Sequence, residues 1–177
     1  MEMAGAGLSE LERAMRCLPT GCFVMTSAYD GKRAGMRVRS VQACADDPLL
    51  ISVAARKGHK IDPLIRDSRS FAVCVMAPGD RLVDRAFPAE TGTPRTGVTG
   101  NGSGNGAHVD ASESDPFDAL PHSTMVTGAP ILDRAIAVFD CEVARRIDLE
   151  ADHELFVGQV MRFRCVEDID AALRPSA

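Results

Sequence analysis

Apolar residues recur at two different spacings along this chain, and the change from one to the other divides it. Near the start, Leu11, Met15 and Leu18 share one face at helical spacing. They follow Ser9-Glu-Leu-Glu12, which has the form of a capping box, where a serine oxygen and a glutamate carboxylate satisfy free backbone N–H groups. A short amphipathic helix is expected there, ending before Pro19. From Gly21 the spacing shortens. Gly21 to Tyr29 is rich in β-branched and aromatic residues, and Asp30-Gly31 is a hairpin turn signal. In the stretch Ala34 to Ala43, Met36, Val38, Ser40 and Gln42 then alternate against Arg37, Arg39 and Val41. The pattern predicts a β-hairpin whose second strand runs on until Asp46-Asp47-Pro48 breaks it.

Leu49 to Ala55 shows no alternation and is expected to be a third strand buried on both faces. His59 to Ser68 can form about two turns of helix with Ile61, Leu64 and Ile65 as its buried stripe. Phe71 to Met76 reads as a fourth strand, and Gly79 to Phe87 as a short helix. Ala89 to Asp115, dominated by Gly, Thr, Ser and Asn, has almost nothing to bury and is expected to be a flexible surface insertion. Order returns at Met125 to Leu132. Ala135 to Leu149 and His153 to Cys165 then read as two long strands joined around Glu150-Ala-Asp152, and Val166 to Leu173 as a short helix or tail. The helices between strands are too short for a doubly wound sheet. The fold class is therefore mainly β: an antiparallel sheet closed into a small barrel, with a few short helices.

Composition adds limits. With 177 residues, 45% of them hydrophobic, one domain spanning 1–177 is expected. A formal net charge of -5 and no long run of Lys or Arg argue against general attraction to nucleic acid or anionic membrane. No apolar stretch approaches the ~20 residues of a membrane span, and the N-terminus lacks the pattern of a secretory signal, so a cytoplasmic protein is expected. The six cysteines, Cys17, Cys22, Cys44, Cys74, Cys141 and Cys165, form no Cys-x-x-Cys pair and lie mostly in apolar runs, which predicts buried reduced thiols. No two of the four histidines have the helical spacing of a metal pair, and no metal site is expected; His108 belongs to the insertion.

The usual catalytic constellations are absent: no nucleophile elbow, no phosphate-binding loop of Walker type, no zinc-protease motif, and no dinucleotide fingerprint after a strand. The run Gly102-Ser-Gly-Asn-Gly106 has neither strand before it nor helix after it. What stands out is Arg56, Lys57, Gly58, His59 and Lys60, where a strand ends and a helix begins. Positive side chains and unpaired N–H groups at such a junction suit a phosphate, and a solvated loop accounts for the same residues.

The order of motifs resembles the flavin reductase-like family, whose fold is the FMN-binding split β-barrel. The likeness runs from LERAMRCLPTGCFVMTS through AGMRVRSVQACADDPLLISVA and SFAVCVM to TGAPILDRAIAVFDCEV and DHELFVGQV. It covers most of residues 8 to 166 apart from the insertion. The resemblance implies that the segment Met36, Arg37, Val38, Arg39, Ser40 and Val41 lines the flavin ring and ribityl chain, largely through backbone groups. It also implies that Ser52, Val53, Ala54, Arg56, Lys57, Gly58, His59 and Lys60 hold its phosphate. Three positions depart from the family: Ile61 stands where a threonine is frequent, Cys74 where an asparagine flavin contact is frequent, and Ala151-Asp152-His153 where many members have Gly-Asp-His. By this likeness His153 is the candidate catalytic residue, placed near nicotinamide or flavin. The implied activity is hydride transfer from NAD(P)H to FMN, with FAD as the other flavin and a monooxygenase or other redox protein as recipient. The alternative is an FMN-binding electron-transfer protein that ignores NAD(P)H, or a barrel that has lost its flavin. A homodimer is implied in each flavin-binding case.

Overall fold

The computed structural model describes residues 10–11, 13–15, 17–88 and 115–169. The Ser9 cap, nearly all of the 89–115 insertion with His108, and most of the C-terminal segment lie outside the described residues.

Phe23–Tyr29 (β1) and Lys32–Val38 (β2) form the expected hairpin, registered from Tyr29 opposite Lys32 to Phe23 opposite Val38. The two turn residues, Asp30 at φ 50° and Gly31 at φ 73°, both take the left-handed conformation that a two-residue hairpin loop demands. The second strand does not continue as the alternation implied. It ends at Val38, because Phe23 is already the first residue of β1 and the ladder has no more partner to give. After Arg39-Ser40 the chain starts a new strand, Val41–Asp46 (β3), which pairs with Leu49–Arg56 (β4).

The remaining elements are Ile61–Ser68 (α1), Ser70–Val75 (β5), Arg81–Ala86 (α2), a 3-10 turn Pro116–Asp118, the small hairpin His122–Thr124 (β6) with Pro130–Leu132 (β7), and the long strands Ala137–Asp148 (β8) and His153–Cys165 (β9). Seven strands make one antiparallel sheet in the order β2-β1-β5-β8-β9-β4-β3. Its two edge strands, β2 and β3, are consecutive in the chain. Three steps of about 3.8 Å separate Val38 from Val41, so the sheet must curl until its opposite edges approach each other there.

The concave side encloses the first core. Met25, Met36, Val38, Ile51, Val53, Phe71, Val73 and Phe156 meet the buried stripe of α1, Ile61, Leu64 and Ile65. Phe71 and Phe156 pack edge to face with centroids 6.4 Å apart. A second core lies on the convex side of β1, β5 and β8, where Val24, Ala72, Cys74 and Val138 are covered by Val83, Phe87, Phe117, Ile131 and Leu132. That layer explains a reversal of expectation: β5 is buried on both faces, whereas β4 alternates, with Ile51, Val53 and Ala55 inward and Ser52, Ala54 and Arg56 half-exposed. Apolar content alone does not say which strand a second layer covers.

Polar bonds attach this layer. Thr26 Oγ1 donates to the Pro130 carbonyl at 2.5 Å, and the fully buried Asp140 accepts from Thr127 N at 3.0 Å and from its hydroxyl. Arg33 of β2 bonds Asp115 at 2.5 Å and Asp118 at 2.7 Å, fastening the chain where it returns from the insertion. Neither the 3-10 turn nor β6 was legible in the pattern. Residues 10–11 and 13–15 are helical as expected, but Leu11, Met15 and Leu18 are more than half exposed, so their stripe has no core to face within this chain's described residues. The thiols also depart from expectation: only Cys74 and Cys141 are buried, while Cys17, Cys44 and Cys165 are exposed. Among the described residues no helix is long and apolar enough to cross a membrane.

Gly158 of β9 sits where a Cβ would lie 2.5 Å from the Phe71 ring and 2.8 Å from Cys141 Cβ. Gly158→Ala should therefore destabilise the fold by about 1–3 kcal/mol, read as a lower midpoint in chemical denaturation. An unchanged midpoint would mean that the Phe71 ring gives way freely.

Candidate functional site

Strand register places the candidate residues. Because β3 begins at Val41 opposite Val53, Ala54 to Arg56 of β4 have a ladder partner only in β9 among the described residues. Directly opposite residues of an antiparallel pair point to the same face. Ser52 faces Val157, Ala54 faces Leu155 and Arg56 faces His153, and all six are half-buried on the convex side. On the other flank Gln42 stands opposite Ser52, whose hydroxyl lies 3.5 Å from the Gln42 carbonyl. The result is a shelf with a floor of small side chains, an apolar flank of Leu155 and Val157, and a basic end at Arg56.

The basic end continues through the turn to α1. Gly58 has φ 76°, a conformation glycine adopts without strain, and beyond its own chain neighbours nothing lies within 4 Å of where its Cβ would be. The His59 ring caps the helix: its Nδ1 accepts from Ile61 N at 3.2 Å, while Asp62 N donates to the His59 carbonyl at 3.0 Å. Lys60 is the residue before the first helical turn and is exposed. The positive groups face acids from the β8–β9 turn. Lys57 N donates to the Asp152 carbonyl at 2.9 Å, and Lys57 Nζ is ion-paired with Asp148. Asp148 also accepts from Glu150 N at 2.7 Å, which holds its carboxylate in place. Asp152 is 2.9 Å from His153 Nδ1. Beneath the shelf, Arg146 holds the nearly buried Glu154 in a two-point ion pair, bridges 3.5 Å to Asp62 of α1, and lies 5.9 Å from the Phe156 ring centroid.

Both turn acids titrate low. The hydrogen bond from Lys57, then that from Glu150 N, keeps the Asp148 carboxyl below its ordinary value, and the bond to His153 does the same for Asp152. A carboxyl depressed in the folded state stabilises above its unfolded value, and that contribution is lost as pH falls through the folded one.

The other expected positions divide. Met36, Val38 and Val53 point into the first core, with side chains at most 4% exposed, so any ligand contact from them is through backbone. Arg37 is ion-paired with Asp84 of α2, on the second layer. Arg39 and Ser40 are exposed at the link between β2 and β3, and the Arg39 carbonyl accepts from Gly21 N at 3.1 Å. Val41 is half-buried beside Val53. Cys74 lies wholly inside the second core, where burial pushes its thiol up to about 12 and Leu132 N is 3.5 Å from its sulfur. No part of it is exposed to a ligand. Sequence reasoning missed Leu155, Val157, Asp148 and Asp152. The alternation of His153, Leu155 and Val157 carried the signal, but only register shows that they face Arg56, Ala54 and Ser52.

The residues fit a ligand with a flat apolar part and an anionic end. The floor has no side chain larger than Ala54 or Ser52 between its flanks, and Lys57 already carries a carboxylate, so that corner accepts negative charge.

A family model described as flavin reductase like domain matches residues 15–174. An NADPH-flavin oxidoreductase of Streptomyces viridifaciens is 32% identical over 155 residues, 87% of this chain and 71% of that protein. The NADH-dependent FMN reductase RutF of Bradyrhizobium diazoefficiens is 25% identical over 96% of this chain and 84% of its own length. Among solved structures, a homologue of nitrilotriacetate monooxygenase component B from Mycobacterium thermoresistibile superposes with a TM-score of 0.70 at 21% identity, covering 92% of this chain and 78% of that one.

Two outcomes check this geometry. At pH 8 a thiol reagent should label Cys17, Cys44 and Cys165 in the native protein, and Cys74 and Cys141 only after unfolding; fast labelling of Cys74 would contradict its placement. Lys57→Ala should raise the Asp148 carboxyl back toward its ordinary value in an NMR titration.

Proposed function

The chain belongs to the flavin reductase-like family, and on that premise we propose that it binds FMN on the β4–β9 shelf and transfers hydride to it from NADH or NADPH. A bound flavin supplies the hydride-accepting centre, so the protein needs no nucleophile or general acid of its own. Its residues bind, orient and exclude water. Ser52 and Ala54 let a planar ring approach the strand closely, and Leu155 and Val157 exclude water along one edge. Arg56, Lys57 and Lys60 attract the phosphate, while Gly58 leaves room for it beside backbone N–H groups. His153, opposite Arg56, is the side chain best placed to orient the phosphate end or a nicotinamide. The single observation that carries this reading is the register that puts a small-residue floor and a basic end on one face of adjacent strands.

The same reading completes the sheet as a split barrel, with β2 and β3 meeting at Arg39-Ser40, and pairs two chains over the shelf. Exposed apolar side chains support the pairing: Ile147, Met161 and Phe163 on β8 and β9, and Leu11, Met15 and Leu18 near the start. A monooxygenase is the proposed recipient of reduced flavin, in keeping with the component B neighbour.

Anaerobic addition of NADH or NADPH to the protein with FMN should bleach the flavin absorbance. FMN that binds but is bleached only by a protein donor would instead identify an electron-transfer flavoprotein, and absence of flavin binding would refute both. Replacing Arg56 and Lys57 together with Ala should weaken FMN binding by about tenfold or more, since charge-assisted bonds are each worth about 1.5–3 kcal/mol. Riboflavin, which lacks the phosphate, should bind the variant as it binds the wild type.

A further inference from the structure

The β8–β9 turn stands against the basic segment as an anion would. Asp148 occupies Lys57 Nζ, the Asp152 carbonyl occupies Lys57 N, and the Asp152 carboxylate bonds the His153 ring and feels the positive charge of Arg56. Asp148 is not a wandering surface acid. Its Oδ1 also accepts from Glu150 N, and Glu150 takes φ 53° in the turn, so the backbone aims the carboxylate at Lys57. The first turn of α1 adds Asp62, already engaged by Arg66 and Arg146. Lys57, one of the cations expected to hold a phosphate, thus has a built-in competitor.

We propose that Asp148 is an affinity- and specificity-determining residue: an internal counter-anion that a phosphorylated flavin must displace from Lys57, so that FMN is held loosely and exchanges. The inference rests on the flavin reading above and concerns the regulation of that same site. A phosphate monoester carries nearly two negative charges at neutral pH and outcompetes one carboxylate, but the gain is reduced by the pair it breaks. Flavins without phosphate do not touch Lys57 and are indifferent to Asp148. Loose holding suits a protein that delivers reduced flavin elsewhere, because a ligand released must first be a ligand that can leave.

Asp148→Asn tests this cleanly. Asparagine keeps the side-chain carbonyl that accepts from Glu150 N, so the turn geometry survives, and circular dichroism with a denaturation midpoint checks that it has. Binding of FMN and of riboflavin is measured by quenching of flavin fluorescence. Exposed ion pairs are weak, so the variant should bind FMN about two- to fivefold more tightly and riboflavin unchanged. In the Lys57→Ala background the same substitution should give a much smaller gain in FMN affinity, because there is no lysine to release. An FMN affinity that is unchanged, or that rises equally with and without Lys57, overturns the competition. Equal tightening of riboflavin overturns it too, since that effect would not involve phosphate. If wild type binds neither flavin, the flavin reading itself fails, and this inference falls with it; the first three results leave that reading standing.

Discussion

The ladder between β1 and β2 runs out at Val38, and most of the architecture follows from where the chain can go next. With Phe23 already opposite Val38, residues 41–46 can satisfy their backbone only on another strand, and β4 is the one available. Because β2 and β3 then form opposite edges of the same sheet, two linking residues force seven strands to curl around one apolar interior. The curl gives Met36 and Val38 a core with α1, and it leaves the convex side of β4 and β9 half-exposed as the candidate shelf.

The same break shapes the chemistry. β3 starts at Val41, opposite Val53, so the last residues of β4 project past it and carry Arg56 and Lys57 to an edge flanked, among the described residues, by β9 alone. There the hairpin turn of β8 and β9 supplies carboxylates that balance the positive segment. An acidic protein thus keeps a local basic corner with acids built against it: Lys57 pairs with Asp148, and Arg146 beneath it with Glu154. Charge compensation of this kind holds a site in shape before a ligand arrives and lowers what the ligand gains on arrival.

Much of this was legible in the residues. The Asp30-Gly31 turn, α1 with Ile61, Leu64 and Ile65, β5, α2 and the two long strands were all written in local spacing and turn chemistry, because each depends on neighbours close in sequence. The basic junction at 56–60 was visible as well, and the family match places the chain in the flavin reductase-like family, as its motif order implied. What misled was strand continuity. Alternation from Met36 to Gln42 looks unbroken, yet Ser40 and Gln42 are exposed where Met36 and Val38 are buried.

By itself the sequence determined the types of element, the helical stripe that fills the interior, the hairpin turn and the concentration of positive charge after β4, all set by dihedral preference and periodicity over a few residues. Only the tertiary structure decided that β4 has one open face and β5 none, that Cys74 is sealed while Cys44 and Cys165 are not, and that Asp148 sits on Lys57. Those outcomes depend on which segments meet across long stretches of sequence, as Lys57 and Asp148 do across 91 residues, and long-range pairing is chosen by the energy of the whole sheet rather than by any local pattern.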